Sequence, residues 1–383
     1  MTQDSLIKIE ERGHAGLITL NRPKALNALN LPMIREITAA LLKWKDSPQI
    51  KLVAIRGMGK AADGSFTPFG AFCAGGDIRF FHQAALAGDP ALEDFFTEEY
   101  SLNHLIHTYP KPYVAFLDGI CMGGGMGISG HGGANTVRIT TERTKMAMPE
   151  TLIGLFPDVG GGWFLSRCDG AAPGMGEYLA LTGHVLSGVA AADVGLADVQ
   201  IASADLTALW DSLGTMAADT TSIMTSLATK SIALRADNTP ATGLNRSQIA
   251  HFFAQGDMKS IVAALEAEAA DGSDWARETA ALLRKRSPLM LHVTLEIIRR
   301  ARSMNIADEL RLERDLVRHC FHAQHLQRIG AATETVEGIR ALAVDKDHAP
   351  KWNPARIEDI SHEMVQPFFA SAWPKWAHPL RSL

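Results

Sequence analysis

The sequence predicts an α/β domain followed by a mostly helical region. Three observations carry that prediction. Up to about residue 200, short apolar runs of strand character alternate with helical stripes. Beyond that point strand signals stop and apolar residues recur at helical spacing. Two glycine-rich stretches, AGGD at 74–77 and the run 119–130, stand at turns that precede predicted helices. The division this implies is a first domain over 1–200 and a helical domain over 201–383.

Residues 6–10, LIKIE, alternate apolar and polar as a half-buried strand does, and 16–20, GLITL, form a second strand. The ERGH turn between them makes the pair a hairpin. Asn30 is placed to cap a helix with Pro32 in its first turn, and Met33, Ile37, Leu41 and Leu42 give that helix an apolar stripe ending near Lys45. LVAIR at 52–56 reads as a buried strand, and 57–70 as a long polar loop containing glycine. A helix over 94–107 leads to the strand YVAFL at 113–117, then to short strands at 136–140 and 145–147. The later helices are expected at 206–216, 249–253, 261–269, 275–284, 289–302 and 307–321, before a proline-punctuated loop at 345–354.

The composition excludes several classes. With 46% apolar and 21% charged residues, the chain of 383 residues can bury a sizeable core. A net charge of −5 argues against a dedicated nucleic-acid binder. The four cysteines, Cys73, Cys121, Cys168 and Cys320, form no CxxC pair, which speaks against a zinc ribbon or a redox motif and fits free thiols in a reducing compartment. No stretch is long and apolar enough to span a membrane, and the first residues hold no apolar signal core. The expectation is a cytoplasmic protein, or an organelle-matrix protein whose presequence is missing from this chain.

The stretch 148–162, MPETLIGLFPDVGGG, draws the most attention. It places Glu150 and Asp158 eight residues apart, with Gly154 and Pro157 between them, so a turn rather than one helix joins the two acids. Their neighbours Met148, Leu152, Ile153, Leu155, Phe156 and Val159 are apolar. An acid held in an apolar site has a raised pKa, which suits general acid–base work. The competing reading is that Glu150 caps a turn and Asp158 is solvated.

Gly123, Gly124 and Gly125 follow a strand and open a helix, an arrangement that lets backbone N–H groups approach an anion or a developing oxyanion. A tight turn is the alternative. Residues 125–130 also spell GxGxxG, but far from the first βα turn that a dinucleotide fingerprint requires. The chain has no GxSxG, P-loop or HExxH motif. His104, His107 and His131 read as structural or surface residues, and Arg22, Lys24 and Arg79 as solvated cations able to meet phosphates.

NRPKALNAL at 21–29, FCAGGDIR at 72–79, GGGMGISGHG at 123–132 and MPETLIGLFPDVGGG at 148–162, in that order, resemble the crotonase (enoyl-CoA hydratase/isomerase) superfamily. The EEY run at 98–100, FPDVGGG and the late DKDHAPKWNP point to its hydrolase branch. The resemblance implies a spiral of β-β-α units followed by helices, and an acyl-CoA ligand that is substrate rather than cofactor. It assigns Lys24, Ala25, Leu26, Ala74, Asp77 and Ile78 to the adenine end of CoA, and Arg79 to its phosphates. It makes the N–H groups of Gly76 and Gly124 an oxyanion hole.

The same resemblance identifies Glu150 as a catalytic carboxylate. Family hydratases carry a second one two residues after the glycine triplet, where this chain has Gly127. Asp158 and Glu99 match acids of the hydrolase branch. The implied reaction is hydrolysis of 3-hydroxyisobutyryl-CoA, a valine-derived thioester, or of a close 3-hydroxyacyl-CoA, with no metal, nucleic acid or membrane involved. Trimers or hexamers are the implied assemblies. The rival readings are a dienoyl-CoA isomerase or enoyl-CoA hydratase of the same superfamily and, more remotely, a nucleotide-binding protein using 125–130.

Overall fold

The computed structural model describes residues 5–216, 219–228 and 243–383. The chain divides into two compact units, each entered three times: one comprises Met1–Gly76, Ser101–Ala147 and Val185–Leu244, the other Asp77–Tyr100, Met148–His184 and Asn245–Leu383.

Among the described residues the first unit holds ten strands: β1 (Ile7–Arg12), β2 (Ala15–Leu20), β3 (Leu52–Lys60), β4 (Phe66–Gly70), β5 (Tyr113–Leu117), β6 (Ile120–Met122), β7 (Thr136–Thr140), β8 (Lys145–Ala147), β9 (Leu186–Ser187) and β10 (Val199–Gln200). The main sheet runs β1-β2-β3-β5-β7-β10, with β4 paired to β3 outside that path. β1 and β2 are an antiparallel hairpin, whereas β2, β3, β5, β7 and β10 pair in parallel. Each parallel step requires a crossover. The first is the Leu31–Lys45 helix, capped by Asn30, whose side chain accepts the Met33 N–H at 3.1 Å.

The pattern is one of β-β-α units. In the later units the second strand leaves the main sheet: β6 pairs in parallel with β8, and β9 completes a small second sheet. The parallel strands are buried along most of their length, as both-faced packing demands. Their side chains meet Leu206, Leu209, Trp210 and Leu213 in one core. Phe116 and Trp210 stack edge to face with centroids 5.3 Å apart.

The 57–70 stretch is not a loop. β3 runs on to Lys60 and β4 pairs back antiparallel to it, Gly59 opposite Thr67 and Lys60 opposite Phe66. The turn closes through Ala61 N–H to Ser65 O at 2.8 Å and Gly64 N–H to Ala61 O at 3.0 Å. In β4 Phe66 and Pro68 are exposed and only Phe69 is buried, so no apolar–polar alternation marks the strand for a reading based on apolar runs.

The second unit is helical. Its centre is the Pro288–Ala301 helix, with ten buried residues, started by Ser287, whose hydroxyl accepts the Met290 N–H at 3.1 Å. Asn245, Asp257, Ser273 and Asn305 cap other helices in the same way. The Ala91–His107 helix begins in this unit and packs Phe95, Phe96 and Tyr100 with Phe81 and Phe321. No helix among the described residues is long and apolar enough to cross a membrane.

Candidate active site

The second unit brings the predicted acids together. Glu150 opens a short 3-10 helix, Glu150–Ile153, that stops at Gly154 with φ +67°. A Cβ on Gly154 would lie 2.3 Å from the Glu334 carbonyl oxygen, so only glycine fits there. The turn is tied from three sides. Ser287 N–H donates to Thr151 O at 3.1 Å, the Thr151 hydroxyl to Leu181 O at 3.1 Å, and the Thr335 hydroxyl to Gly154 O at 2.6 Å.

Asp158 follows on the same stretch and heads a second turn, in which Val159 (φ +58°) and Gly160 (φ +86°) are left-handed. Met148, Leu155, Phe156 and Val159 are buried around the two acids, as the apolar run predicts. Glu150 is 7% exposed and Asp158 5%, which excludes the solvated reading.

The electrostatics are those of a crowded acidic interior. The Tyr100 hydroxyl donates to Asp158 Oδ2 at 2.8 Å. Burial raises the Asp158 pKa to about 6, against the lowering effect of that hydrogen bond. Burial and the Asp158 charge push Glu150 well above the ordinary carboxylate range, and the Arg286 guanidinium acts in the opposite sense. Glu99 is pushed up by burial, then by Asp158 and Glu150. One oxygen of Glu150 and one of Glu99 are buried without a hydrogen-bond partner. Arg286 is itself buried and donates to the Thr182 carbonyl. Carboxyl groups raised in this way keep a proton that an ordinary carboxylate would lose, which suits acid–base catalysis.

In the first unit, the other predicted residues form a backbone arrangement. Cys73 and Cys121 make a parallel bridge, with Cys73 N–H to Ile120 O and Met122 N–H to Cys73 O, both at 2.9 Å. A Cβ on Gly75 would lie 3.6 Å from Gly124 N. Gly124 starts the short helix Gly124–Gly127, in which Gly127 is buried. Lys24 and Ala25 lie in a 3-10 turn ending at Leu26, φ +50°, and the chain there joins the glycine segment through Ala74 N–H to Leu26 O at 3.0 Å and Leu29 N–H to Gly75 O at 2.8 Å. Lys24 and Leu26 are exposed, and Ala25 and Ala74 half-buried.

Asp77, Ile78 and Arg79 begin the Ile78–Ala87 helix of the second unit, where Asp77 accepts the Phe80 N–H at 3.3 Å and Arg79 is exposed. The GxGxxG run is explained by packing. The strand before it, β6, belongs to the small sheet, and a Cβ on Gly125 would meet the Cys73 carbonyl oxygen at 2.4 Å. A dinucleotide fingerprint needs that strand in the parallel sheet.

Four residues at the acidic cluster escape a motif-based reading: Tyr100, Arg286, Glu309 and Glu313. Tyr100 stands in the EEY run, but only folding aims its hydroxyl at Asp158. Arg286 sits in KRS and reads as a surface cation. Glu309 and Glu313 lie on a charge-rich helix and are nonetheless 0% exposed.

Comparison with known proteins gives the family. The family model described as enoyl-CoA hydratase/isomerase matches residues 15–369. A Xenopus laevis relative named "3-hydroxyisobutyryl-CoA hydrolase, mitochondrial" is 39% identical over 367 residues, covering 95% of this chain and 88% of its own length. A crystal structure titled carnitinyl-CoA dehydratase, from Mycobacterium thermoresistibile, superimposes with TM-score 0.81 at 33% identity over 97% of this chain and 98% of that one. One titled enoyl-CoA hydratase, from Rhodobacter sphaeroides 2.4.1, gives 0.78 at 34% over 96% and 98%. With the match spanning nearly every described element, the chain belongs to the enoyl-CoA hydratase/isomerase family.

Proposed function

We propose that the protein is a thioesterase that hydrolyses 3-hydroxyisobutyryl-CoA, or a close 3-hydroxyacyl-CoA, to the free acid and CoA. The observation that carries this reading is the buried Glu150–Asp158–Glu99 cluster on a chain whose position 127 is glycine. Hydration of a double bond in this family uses a carboxylate at position 127, and glycine offers none. The name of the Xenopus relative agrees, and the hydratase and dehydratase titles of the two structures describe the fold shared with those enzymes.

In the proposed reaction the thioester carbonyl oxygen becomes negative as the carbon is attacked. The Gly76 and Gly124 N–H groups are assigned to that charge, and one such donor contributes about 2.7–4 kcal/mol in the transition state. Glu150 is the carboxylate that takes the water proton, or attacks the carbon itself to give an anhydride that water then opens. In either route the new C–O bond replaces the C–S bond, and the departing sulfur needs a proton. Asp158 is assigned to the substrate 3-hydroxyl and to that proton, and Glu99 to substrate contact. Label found in the Glu150 carboxyl after turnover in labelled water identifies the anhydride route, with water opening the anhydride at the Glu150 carbon.

CoA contacts are assigned to Lys24, Ala25, Leu26, Ala74, Asp77, Ile78 and Arg79, and the substrate places the protein in breakdown of valine-derived acyl groups. Four buried cysteines, none of them in a disulfide, support a reducing compartment, cytoplasm or organelle matrix. Thiol release across a panel of acyl-CoAs tests the assignment. Highest kcat/KM on 3-hydroxyisobutyryl-CoA is expected, and equal rates on the panel would contradict it.

A further inference from the structure

Next to Asp158 lies a carboxyl pair to which the proposed reaction gives no task. The Ile306–Phe321 helix presents Glu309 and Glu313, one turn apart and both 0% exposed. Glu313 accepts the Gly160 N–H on Oε2 at 2.8 Å and the Gly162 N–H on Oε1 at 3.3 Å. Between them, Gly161 N–H donates to the Asp158 carbonyl at 2.8 Å. Three consecutive glycine amides therefore fix the turn that Asp158 heads, two of them through one side chain. The glycines are needed for the approach: a Cβ on Gly162 would lie 2.4 Å from Glu309 Oε1 and 3.2 Å from Ala301 Cβ.

A clamp of this kind needs only two acceptors. A buried carboxylate is a costly choice of acceptor where Glu99, Glu150 and Asp158 are already buried, because like charges resist ionising together. That cost points to a use for the clamp in holding Asp158. Resting on the reading of Asp158 as a group of the hydrolase site, we propose that Glu313 is a positioning residue for Asp158. It clamps the 158–162 turn through the Gly160 and Gly162 amides and so fixes the place of the Asp158 carboxyl group.

Other titratable groups face this cluster. The Ala91–His107 helix contributes Glu99 and Tyr100, the first turn contributes Glu150, and the Ile306–Phe321 helix contributes Cys320 besides the pair. Arg286 faces Glu150, and Arg167 faces Glu309. Burial and mutual repulsion raise Glu313, with the Asp158 charge adding to the rise.

The test uses full-length wild type, Glu313→Gln and Glu313→Ala. Glu313→Gln keeps the shape but offers one acceptor to the two glycine N–H groups. Its kcat is expected to fall about tenfold with KM within about twofold. Glu313→Ala is expected to speed amide exchange in peptides covering 158–162. Should Glu313→Ala not fold, Glu313→Gln is read for the same faster exchange; Glu309→Gln, which leaves both glycine hydrogen bonds in place, is expected to keep the wild-type exchange rate.

Unchanged exchange in folded Glu313 variants overturns the clamp, and an unchanged kcat in them overturns its hold on Asp158. Wild type that releases no thiol overturns the hydrolase reading instead, and the exchange measurement still decides on the clamp.

Discussion

At Glu150 the side chain is buried, raised in proton affinity and only partly satisfied by hydrogen bonds. Removing it in Glu150→Ala is expected to abolish turnover while CoA binding persists. Retention of more than about a tenth of kcat, a loss of about 1.4 kcal/mol or less, would contradict the role. Because Glu150 must be ionised to accept a proton, kcat/KM should rise with pH along a limb displaced above the ordinary carboxylate range; a limb near pH ~4 would mean that no buried acid is involved. Asp158→Asn keeps hydrogen-bonding capacity but takes up no proton at neutral pH. It should slow 3-hydroxyacyl-CoA more than the unsubstituted acyl-CoA, since a site built for a hydroxyl discriminates through its buried polar partner. Equal losses in kcat/KM would leave Asp158 without a recognition role. Glu150, Asp158 and Glu99 were legible in the sequence because acids inside apolar or motif-bearing runs stand out. Glu309 and Glu313 were not, since LRLERD reads as a solvated face until the Asp158 turn is folded against it.

At the scale of elements, the Glu150 turn depends on a neighbour distant in sequence. Gly154→Ala would force a side chain into φ +67° with its Cβ 2.3 Å from the Glu334 carbonyl oxygen. A destabilisation of about 1–3 kcal/mol is expected, read as a lowered urea midpoint together with reduced kcat. Wild-type stability would show that the Glu334–Ile339 helix yields freely. The start of the Leu31–Lys45 helix was legible because Asn30 is a cap whose chemistry is local; Ser273, Ser287 and Asn305 cap helices by the same chemistry without having been singled out. β5, β7 and β8 were equally plain, being short apolar runs between turns. The β3–β4 hairpin was missed because its pairing follows backbone register and its exposed face gives no apolar alternation. The short helix carrying Glu150 is held by Ser287, Leu181 and Thr335, none of them local, so sequence reading reached only a turn.

For the whole molecule, the buried acids set the sign of the pH dependence of stability. Asp158 is raised to about 6, Glu309 to about 7 and Glu334 to about 7, in each case chiefly by burial. The folded chain then binds more protons than the unfolded chain between the ordinary carboxylate range and these values. Stability is fully expressed below the unfolded-state pKa and is lost as pH rises through the folded ones. The urea midpoint should therefore decline from about pH 4 to about pH 7, and decline less in Glu309→Gln. A midpoint rising across that window would contradict this charge state. The α/β class and the family were readable from four ordered motifs, whereas the entry of the chain into two units three times each is a product of tertiary contacts. On the proposed reading, a family fold shared with hydratases here carries out hydrolysis. The direct measurement offers purified protein 3-hydroxyisobutyryl-CoA and an enoyl-CoA in parallel, following free thiol and loss of the double bond. Stoichiometric thiol from the first, with no hydration of the second, is the predicted result; hydration without thiol release would contradict the account.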